Sequence, residues 1–394
     1  MSRVISLSLV PVCLCLSLLL ALACGDGEGE GEGGLPREGT RKDEPIIEGF
    51  GVKSELVTEA DYAVTLAFAP DGRLFYNELN TGNIRIVTPG GELLPEPFAH
   101  VDVKTGDEWG LIGLAIDPDF ESNHYLYIYF TAPAGSVSRP TVMRFTDENN
   151  IGVDPTVILE LPETFPDRPS WHVGGNIRIG PDGYLYVTVG EYTEAELAQD
   201  LSVPQGKILR VSKEDGSAAP DNPFVDQPGA DPSVFAYGFR NSWDLTFHPE
   251  TGQIYATENG DANCDELNLV VKGGNYGWPE SSGEEVCQNP GAIEGIHYFS
   301  IFPSRRPGQF ISTVAPTGIE FVASDAYPLL ISSSLLVCEF NSAIMRHFYV
   351  AGADRDVVVG GSVVVRDCRL DIAISPDGLV YYSNKTEIRR LVPE

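Results

Sequence analysis

Short runs of alternating apolar and polar residues recur along the chain, and each one follows a turn rich in proline, aspartate and glycine. Four copies resemble one another closely, at residues 69–76, 180–187, 248–255 and 375–382. A looser fifth copy covers residues 117–129, and residues 317–321 can fill the gap before the last copy. Alternation that directly follows such a turn predicts β-strands with one buried face.

About six such units, without helical patterns of any length, predict an all-β chain. Large-interval repeats of short strands and turns are typical of a β-propeller, whose blades surround a central channel. We therefore expect a six-bladed β-propeller of four-stranded antiparallel blades over residues 45–394. The first blade should close against the last, with Leu391 and Val392 near the end of the terminal strand. A β-sandwich is the alternative, but it does not explain the returning turn and strand.

The first 44 residues are predicted to lie outside this domain. Residues 1–24 have the pattern of an export signal, with Arg3 before a long apolar run. The segment LALAC at 20–24 is similar to a bacterial lipobox, which predicts lipid attachment at Cys24. Ordinary cleavage or an uncleaved anchor are the alternatives. Residues 25–44 are rich in glycine and glutamate and predict a flexible tether.

Composition and charge narrow the functional classes. The 394 residues are 42% hydrophobic, which is enough for a large core, and the formal net charge is −31. Such a surface repels phosphate backbones, which argues against nucleic-acid binding. We expect an exported protein, periplasmic or on the cell surface, that contacts a membrane only through its N-terminal lipid anchor.

Four of the seven cysteines remain after the export segment is set aside: Cys264, Cys287, Cys338 and Cys368. An even number in an exported chain predicts disulfides. Proximity in sequence favours the pairs 264–287 and 338–368, although four cysteines allow three pairings. The chain has no C-x-x-C motif or Cys/His cluster, which argues against a zinc site.

One central region carries a resemblance to a known family. The segments AYGFRNSW at 236–243, ENGD at 258–261, DELN at 265–268 and GGNYGWP at 273–279 follow each other in order. In order and spacing they resemble motifs of the soluble quinoprotein glucose/sorbosone dehydrogenases. The resemblance implies a six-bladed propeller that binds pyrroloquinoline quinone (PQQ) over the channel mouth with Ca²⁺. It also implies oxidation of an aldose or a related hydroxyl substrate, with an electron acceptor that the sequence does not identify.

The resemblance assigns three residues to catalysis. His172, in WHVGGN at 171–176, aligns with the base that removes the sugar hydroxyl proton, a task that suits an imidazole. Glu191 aligns with an aspartate that orients this histidine and stabilises its protonated form. Arg240 aligns with an arginine that faces the cofactor and stabilises negative charge on the quinone oxygen.

The same alignment implies the binding residues. For the cofactor they are Arg240, Asn241, Asn341 and Arg369. For calcium, which prefers oxygen ligands, they are Gly260, Asp261, Asp265 and Glu266. Tyr276 and Trp278 are interpreted as packing residues, as aromatic side chains in propellers usually are.

The chain also departs from the family pattern. Asn341 stands where the family has a cofactor-binding lysine, and Leu370 stands where it has an arginine. Candidates to replace the missing charge are Arg178, Arg346, Arg366 and Arg369. The family's aromatic wall at the sugar site is reduced to ISTVAP at 311–316.

Two other interpretations therefore stay open. The hedgehog-interacting protein has the same propeller without quinone chemistry, so the alternative is a non-catalytic, membrane-tethered propeller that binds carbohydrate or protein. A weaker one is a metal-dependent, lactonase-type hydrolase with acidic residues at the channel.

Overall fold

The computed structural model describes residues 51–135, 137–162, 170–261, 264–279, 291–299, 313–322, 324–327, 330 and 333–394. The expected export signal and tether, and Cys287, lie outside these residues. Within them the chain forms six four-stranded antiparallel sheets, which confirms the predicted six-bladed β-propeller. No helix in the described ranges has the length and apolar character needed to cross a bilayer.

The strands are numbered in chain order, and all blades but the last are built from consecutive strands. The first strand, β1 (Val52–Glu59), belongs to the last blade. Blade 1 contains β2 (Ala63–Phe68), β3 (Leu74–Glu78), β4 (Asn83–Val87) and β5 (Ala99–His100). Blade 2 contains β6 (Leu111–Ile116), β7 (Tyr125–Ala134), β8 (Val137–Glu148) and β9 (Ile151–Glu160). Blade 3 contains β10 (Gly174–Ile179), β11 (Tyr184–Val189), β12 (Lys207–Ser212) and β13 (Val234–Tyr237).

The second half of the ring follows the same plan. Blade 4 contains β14 (Ser242–Phe247), β15 (Ile254–Glu258), β16 (Glu266–Val270) and β17 (His297–Tyr298). Blade 5 contains β18 (Pro316–Val322), β19 (Ser334–Glu339), β20 (Ile344–Ala351) and β21 (Val357–Arg366). Blade 6 contains β22 (Ile372–Ile374), β23 (Val380–Ser383) and β24 (Glu387–Pro393), together with β1.

The two ends of the described domain close the ring, as the sequence predicted. Strand β1 pairs antiparallel with β24, and Ser54 lies opposite Leu391. Blade 6 is therefore assembled from both ends of the propeller. This pairing removes the open sheet edges that an unclosed ring would expose.

The recurring proline, aspartate and glycine turns join the first and second strands of the blades. One copy differs from the expectation of a turn leading directly into a strand. In blade 2, residues Phe120–Asn123 form a short helix, α1, before β7 begins. His124 ends this helix in the left-handed conformation, with φ of 59°, and its N–H donates to the Phe120 carbonyl. A short 3-10 helix, Ala195–Gln199, lies in blade 3.

The first strands of the blades line the channel, and a buried carboxylate joins three of them. Asp244 on β14 accepts hydrogen bonds from the Asn176 amide (2.6 Å), the Arg178 guanidinium (2.8 Å) and the Ile319 N–H (3.3 Å). These donors come from blades 3 and 5, on either side of blade 4. Because Asp244 is completely buried, losing these partners would leave an uncompensated charge in the channel.

The first strands also share an irregularity at one end. In five blades the pairing with the second strand shifts register near the start of the first strand, between the residue pairs Ala63/Leu66, Leu111/Gly113, Gly174/Ile177, Ser242/Leu245 and Pro316/Ile319. Such bulges bend a strand and redirect its side chains, and they occur often beside functional sites. All five lie at the end of the channel where the candidate site is found.

A disulfide between Cys338 and Cys368 confirms one of the expected pairs. It joins β19 of blade 5 to the segment that leads into blade 6, with a Cα–Cα distance of 5.3 Å. Cys264 is also disulfide-bonded, whereas its expected partner, Cys287, lies outside the described residues.

Replacing Cys338 and Cys368 together by alanine should lower the free energy of unfolding. The bond closes a loop with a sequence separation of 30. In the chain-entropy model such a loop is worth about 3 to 4 kcal/mol. Urea unfolding of the wild type and the double variant measures the difference. Equal free energies would contradict a stabilising role for this cross-link.

Candidate functional site

One end of the channel opens into a cavity of about 440 Å³. Most of its wall is built from residues shortly before the first strand of a blade or shortly after the second strand, while Trp243 and Thr317 lie within first strands. The lining residues are Tyr62, Leu79, Asp107, Glu108, Trp171, His172, Arg240, Asn241, Trp243, Asn259, Gly260, Asp261, Thr313, Ala315, Thr317, Phe340, Leu370 and Lys385. The volume is in the range of sites that bind cofactors and small molecules.

The structure brings His172 and Glu191 together on this wall. His172 lies just before β10, and its Nδ1 forms a hydrogen bond with Oε1 of Glu191, which lies just after β11. A carboxylate oxygen accepts, so Nδ1 carries the proton and Nε2 has a free lone pair. No described residue forms a hydrogen bond with Nε2. The extra methylene of glutamate therefore does not prevent contact with the imidazole.

Surrounding contacts hold the backbone of the histidine in a strained conformation. His172 has φ of 58°, a left-handed conformation that is uncommon for a residue with a side chain. Its carbonyl accepts the N–H of Tyr192 (2.9 Å). Gly190 packs against the same carbonyl, and a Cβ at position 190 would lie 2.1 Å from that oxygen. The glycine before Glu191 is thus required by this close approach.

Arg240 is the one predicted arginine among the lining residues. Its Nη1 donates to the Asn259 carbonyl (3.0 Å), and the guanidinium lies 5.4 Å from the centroid of the Trp278 ring. The backbone N–H groups of Arg240 and Asn241 both donate to Oε1 of Glu258 (2.7 and 2.8 Å). Glu258 therefore fixes the turn that presents Arg240. Trp278, which was predicted to be a packing residue, also contacts the arginine.

The Asn241 side chain connects three blades. Its Oδ1 accepts the N–H of Gly174 (2.9 Å), and its Nδ2 donates to Oε2 of Glu108 (3.2 Å). The same Glu108 oxygen accepts the N–H of Val173 (3.1 Å). Asn241 thus lines the cavity and also holds the His172 loop against blade 2.

Glu108 is a site residue that the sequence interpretation missed. It lies three residues before β6, close to the place in the repeat that His172 occupies two residues before β10. This similar position, shortly before the first strand of a blade, could have identified Glu108 from the sequence. Burial raises the pKa of the Glu108 carboxyl, against the opposing effects of the Val173 N–H and His172.

Three of the four residues predicted to bind calcium, Gly260, Asp261 and Glu266, border one small pocket that also includes Glu258. Gly260 and Asp261 line the cavity. Asp265 instead braces the backbone, because its two oxygens accept the N–H groups of Gly260 and Ala315 (both 3.1 Å). Glu266 accepts from the Asn268 amide (3.3 Å) in a small space beside Glu258. Within the described ranges, no three His, Cys, Asp or Glu side chains are arranged to hold a metal ion.

Burial affects the protonation of these acids. It raises the pKa of Asp265 to about 6, and those of Glu258 and Glu266 to about 8.

One oxygen at the cavity has no hydrogen-bond partner among the described residues: the buried Oδ1 of Asn259, next to Gly260. The sequence interpretation did not select Asn259.

Most of the residues predicted to bind the cofactor, or to replace its missing positive charge, do not line the cavity. Asn341 does not line the cavity, and its Nδ2 donates to the Thr313 carbonyl (2.7 Å). Arg369 lies beside the cavity and donates to the Phe340 carbonyl (2.5 Å). Arg178 pairs with Asp244 in the channel, and Arg346 bonds to Glu339. Arg366 is exposed on β21.

Aromatic side chains form much of the remaining wall. Tyr62, Trp171, Trp243 and Phe340 all line the cavity. Trp171 is 49% exposed at the rim, directly beside His172. Positions 311 and 312 of the reduced family segment lie outside the described residues, while Ala315 contributes to the wall.

Tyr276 packs as predicted. Its ring stacks on Phe239 with centroids 4.5 Å apart, and its hydroxyl donates to the Leu269 carbonyl (2.7 Å). This buried contact supports the segment behind Arg240.

The chain is similar to several known proteins. The sequence model described as Glucose / Sorbosone dehydrogenase matches residues 60–392. The aldose sugar dehydrogenase YliI of Escherichia coli K12 is 27% identical over 357 residues, covering 83% of this chain and 88% of that protein. The quinoprotein glucose dehydrogenase B of Acinetobacter calcoaceticus is 30% identical over 263 residues, covering 59% of this chain and 53% of that protein.

A solved structure matches closely over most of the chain. It is that of a proposed oxidoreductase (glucose dehydrogenase) from Thermus thermophilus, which is 31% identical. The match has a TM-score of 0.74 and covers 87% of this chain and 100% of that one.

Replacing Glu258 by glutamine should reduce the dependence of stability on pH. The usual pKa of this carboxyl is 4.5 and burial raises it to about 8, so between these values the folded protein holds a proton that the unfolded chain releases. Stability from this group is full below pH 4.5 and is lost as the pH rises through 8. Glutamine cannot titrate and keeps an acceptor for Arg240 and Asn241.

Urea unfolding at about pH 6 and about pH 9 measures this effect. The loss of stability over that interval should be smaller in Glu258→Gln than in the wild type. Equal losses of stability in Glu258→Gln and the wild type would contradict the role assigned to the Glu258 carboxyl. Glu258→Ala is the contrasting variant, since it leaves the N–H groups of Arg240 and Asn241 without an acceptor and should cost about 1 to 3 kcal/mol for the buried N–H of Asn241 alone, at either pH.

Proposed function

Because the chain belongs to the glucose/sorbosone dehydrogenase family, we propose that it is a PQQ- and Ca²⁺-dependent oxidoreductase. Its substrate is an aldose or a related sugar with an oxidisable hydroxyl group, and a second molecule accepts the electrons. The observation that carries the proposal is the hydrogen bond between His172 and Glu191 on the wall of a cavity that also contains Arg240.

The residues of the cavity suit PQQ. The cofactor is a planar polyanion, and the wall offers the flat side chains of Trp243, Tyr62 and Phe340 with the cations Arg240 and Lys385. Neither cation forms an ion pair with a carboxylate among the described residues. When bound, PQQ would supply the acceptor for the hydride from the sugar carbon.

The protein's own residues would move the proton and stabilise charge. Nε2 of His172 takes the proton from the substrate hydroxyl, because Nδ1 is already committed to Glu191. Glu191 keeps the imidazole in that tautomer and stabilises the imidazolium that forms. The Arg240 guanidinium stabilises negative charge that develops on an oxygen bound next to it.

The oxygen donors at residues 259–261 would hold calcium at the cavity. Oδ1 of Asn259 has no partner among the described residues, Gly260 offers a carbonyl, and Asp261 offers an exposed carboxylate at the cavity. Hard cations take such oxygens. Asp265 would support the site indirectly, since it holds the Gly260 N–H.

The sugar preference depends on a wall that differs from the family pattern. The exposed face of Trp171 offers an apolar surface of the kind on which sugar rings stack, beside the proposed base. Glu108 and Asp107, which also line the cavity, can accept hydrogen bonds from sugar hydroxyls.

Removing the proposed base should abolish most of the activity. The protein loaded with PQQ and Ca²⁺ should reduce an electron-accepting dye when aldoses are added. We expect His172→Ala to lower kcat by about 10²- to 10⁴-fold, the usual contribution of a general base. His100→Ala, which changes an exposed histidine away from the cavity, is the matched control and should retain full activity.

Two other results would contradict the proposal. If the wild type binds PQQ but no sugar in a broad panel of aldoses and polyols supports dye reduction, the enzyme proposal fails. If His172→Ala and His100→Ala are equally active, the base has been misassigned. The first result would favour the alternative, a propeller that binds carbohydrate or protein without catalysis.

Calcium binding should depend on Asp261 more than on acidic residues outside the cavity. We expect Ca²⁺ to raise the melting temperature of chelator-treated protein. Because ligand charge sets the affinity for calcium, Asp261→Asn should require roughly tenfold more Ca²⁺ for half of that effect. Asp226→Asn, at another exposed loop, is the control. A calcium response that is the same in both variants would argue against these ligands.

A further inference from the structure

Lys385 presents a positive charge at the cavity without a negative partner among the described residues. It follows β23 in blade 6 and lines the cavity wall. Its Nζ lies 4.7 Å from the centroid of the Phe340 ring and 5.6 Å from that of Tyr62. Aromatic faces attract a cation without neutralising it. No carboxylate in the described part of the chain forms an ion pair with Nζ, so the charge is available to a ligand.

The backbone around Lys385 is held in place. The Lys385 carbonyl accepts the N–H of Tyr62 (2.9 Å), which ties the loop to the start of blade 1. Oδ1 of the buried Asn384 accepts the N–H groups of Thr386 and Glu387 (2.7 and 2.8 Å). Nδ2 of Asn384 donates to Asp367 (2.6 Å). A fixed loop lowers the entropy cost of holding a ligand with this side chain.

The position of Lys385 in its blade is equivalent to that of Asn341 in the preceding blade. Lys385 is the second residue after β23, and Asn341 is the second residue after β19. Asn341 cannot supply positive charge and does not line the cavity. Phe340, the residue before Asn341, is the ring on which the Lys385 ammonium lies. The charge that blade 5 does not provide is thus present one blade further on.

The order of the blades places this charge across the channel from the proposed base. The first strands contact one another around the ring in the order β2, β6, β10, β14, β18 and β22. In a ring of six, blade 6 with Lys385 therefore lies opposite blade 3 with His172. Arg240, on blade 4, lies next to the histidine side. One planar ligand can then contact His172 and Arg240 at one end and Lys385 at the other.

We propose that Lys385 binds a carboxylate of the quinone cofactor. It would thereby replace the lysine that the family has where this chain has Asn341. The inference rests on the proposed function, since it names the residue that holds the anionic end of that cofactor. The net charge of −31 makes such a contact important. An anionic ligand must overcome the repulsion of an acidic surface, including Asp107, Glu108 and Asp261 at the cavity itself.

The test compares equilibrium binding of two ligands by titration calorimetry. One ligand is PQQ with Ca²⁺, and the other is the trimethyl ester of PQQ, which keeps the rings but has no carboxylate charge. We expect Lys385→Met to weaken PQQ binding about 10- to 100-fold, as the loss of one charge-assisted contact should. Binding of the ester, which lacks that contact, should change less than about threefold. Lys272→Met, which removes a lysine paired with Asp221, is the matched control.

A second variant tests the equivalence of the two blade positions. Adding Asn341→Lys to Lys385→Met should restore part of the PQQ affinity, because the charge returns to the neighbouring blade. Raising the salt concentration should weaken PQQ binding to the wild type more than to Lys385→Met.

The outcomes separate this inference from the proposed function. If the wild type and Lys385→Met bind PQQ equally well, the role of Lys385 is refuted while the enzyme proposal stands. If Lys385→Met weakens the ester as much as PQQ, the side chain acts by packing and the carboxylate contact is refuted. If the wild type binds no PQQ at micromolar concentrations, both proposals are refuted.

Discussion

The candidate site depends on the side-chain amide of Asn241 more than on any other single group. Its oxygen holds the Gly174 N–H of blade 3, and its nitrogen holds the Glu108 carboxylate of blade 2. Its own N–H is bound by Glu258 of blade 4. An amide is the side chain that can accept and donate at the same time, so it can satisfy an N–H and a carboxylate together. Through these bonds the loop with His172 and the turn with Arg240 keep a fixed relation.

The propeller explains why distant parts of the sequence meet at this point. In each blade the start of the first strand and the end of the second strand lie at the same end of the channel, because the two strands are antiparallel. Residues at these two places therefore converge, although Glu108 and Lys385 are far apart in sequence. The bulges at the start of the first strands bend the backbone there, and His172 adopts a left-handed conformation beside one of them. The site combines a rigid scaffold with local strain at the residue proposed to act as the base.

The fold could be predicted because its signal is repeated. The alternation of apolar and polar residues after each turn reports one buried face, and the repeat fixes the architecture even where one copy, with its short helix at Phe120–Asn123, is irregular. The pairing of His172 with Glu191 was also accessible, since both flank adjacent strands of one blade. By contrast, the direction of the Asp265 carboxylate depends on two backbone N–H groups, one of them from Ala315, and no local pattern reports that contact. Lys385 was missed because its partner rings, Phe340 and Tyr62, come from other blades.

The central claim is that one planar, anionic cofactor lies across the channel mouth between the base and the cations. A crystal structure of the protein grown with PQQ and Ca²⁺ tests it most directly. The account predicts density for the cofactor in the cavity, with its quinone oxygens near His172 and Arg240 and a carboxylate within hydrogen-bond distance of Nζ of Lys385. Cofactor bound in another place, or density at this cavity with Lys385 turned to solvent, would contradict it.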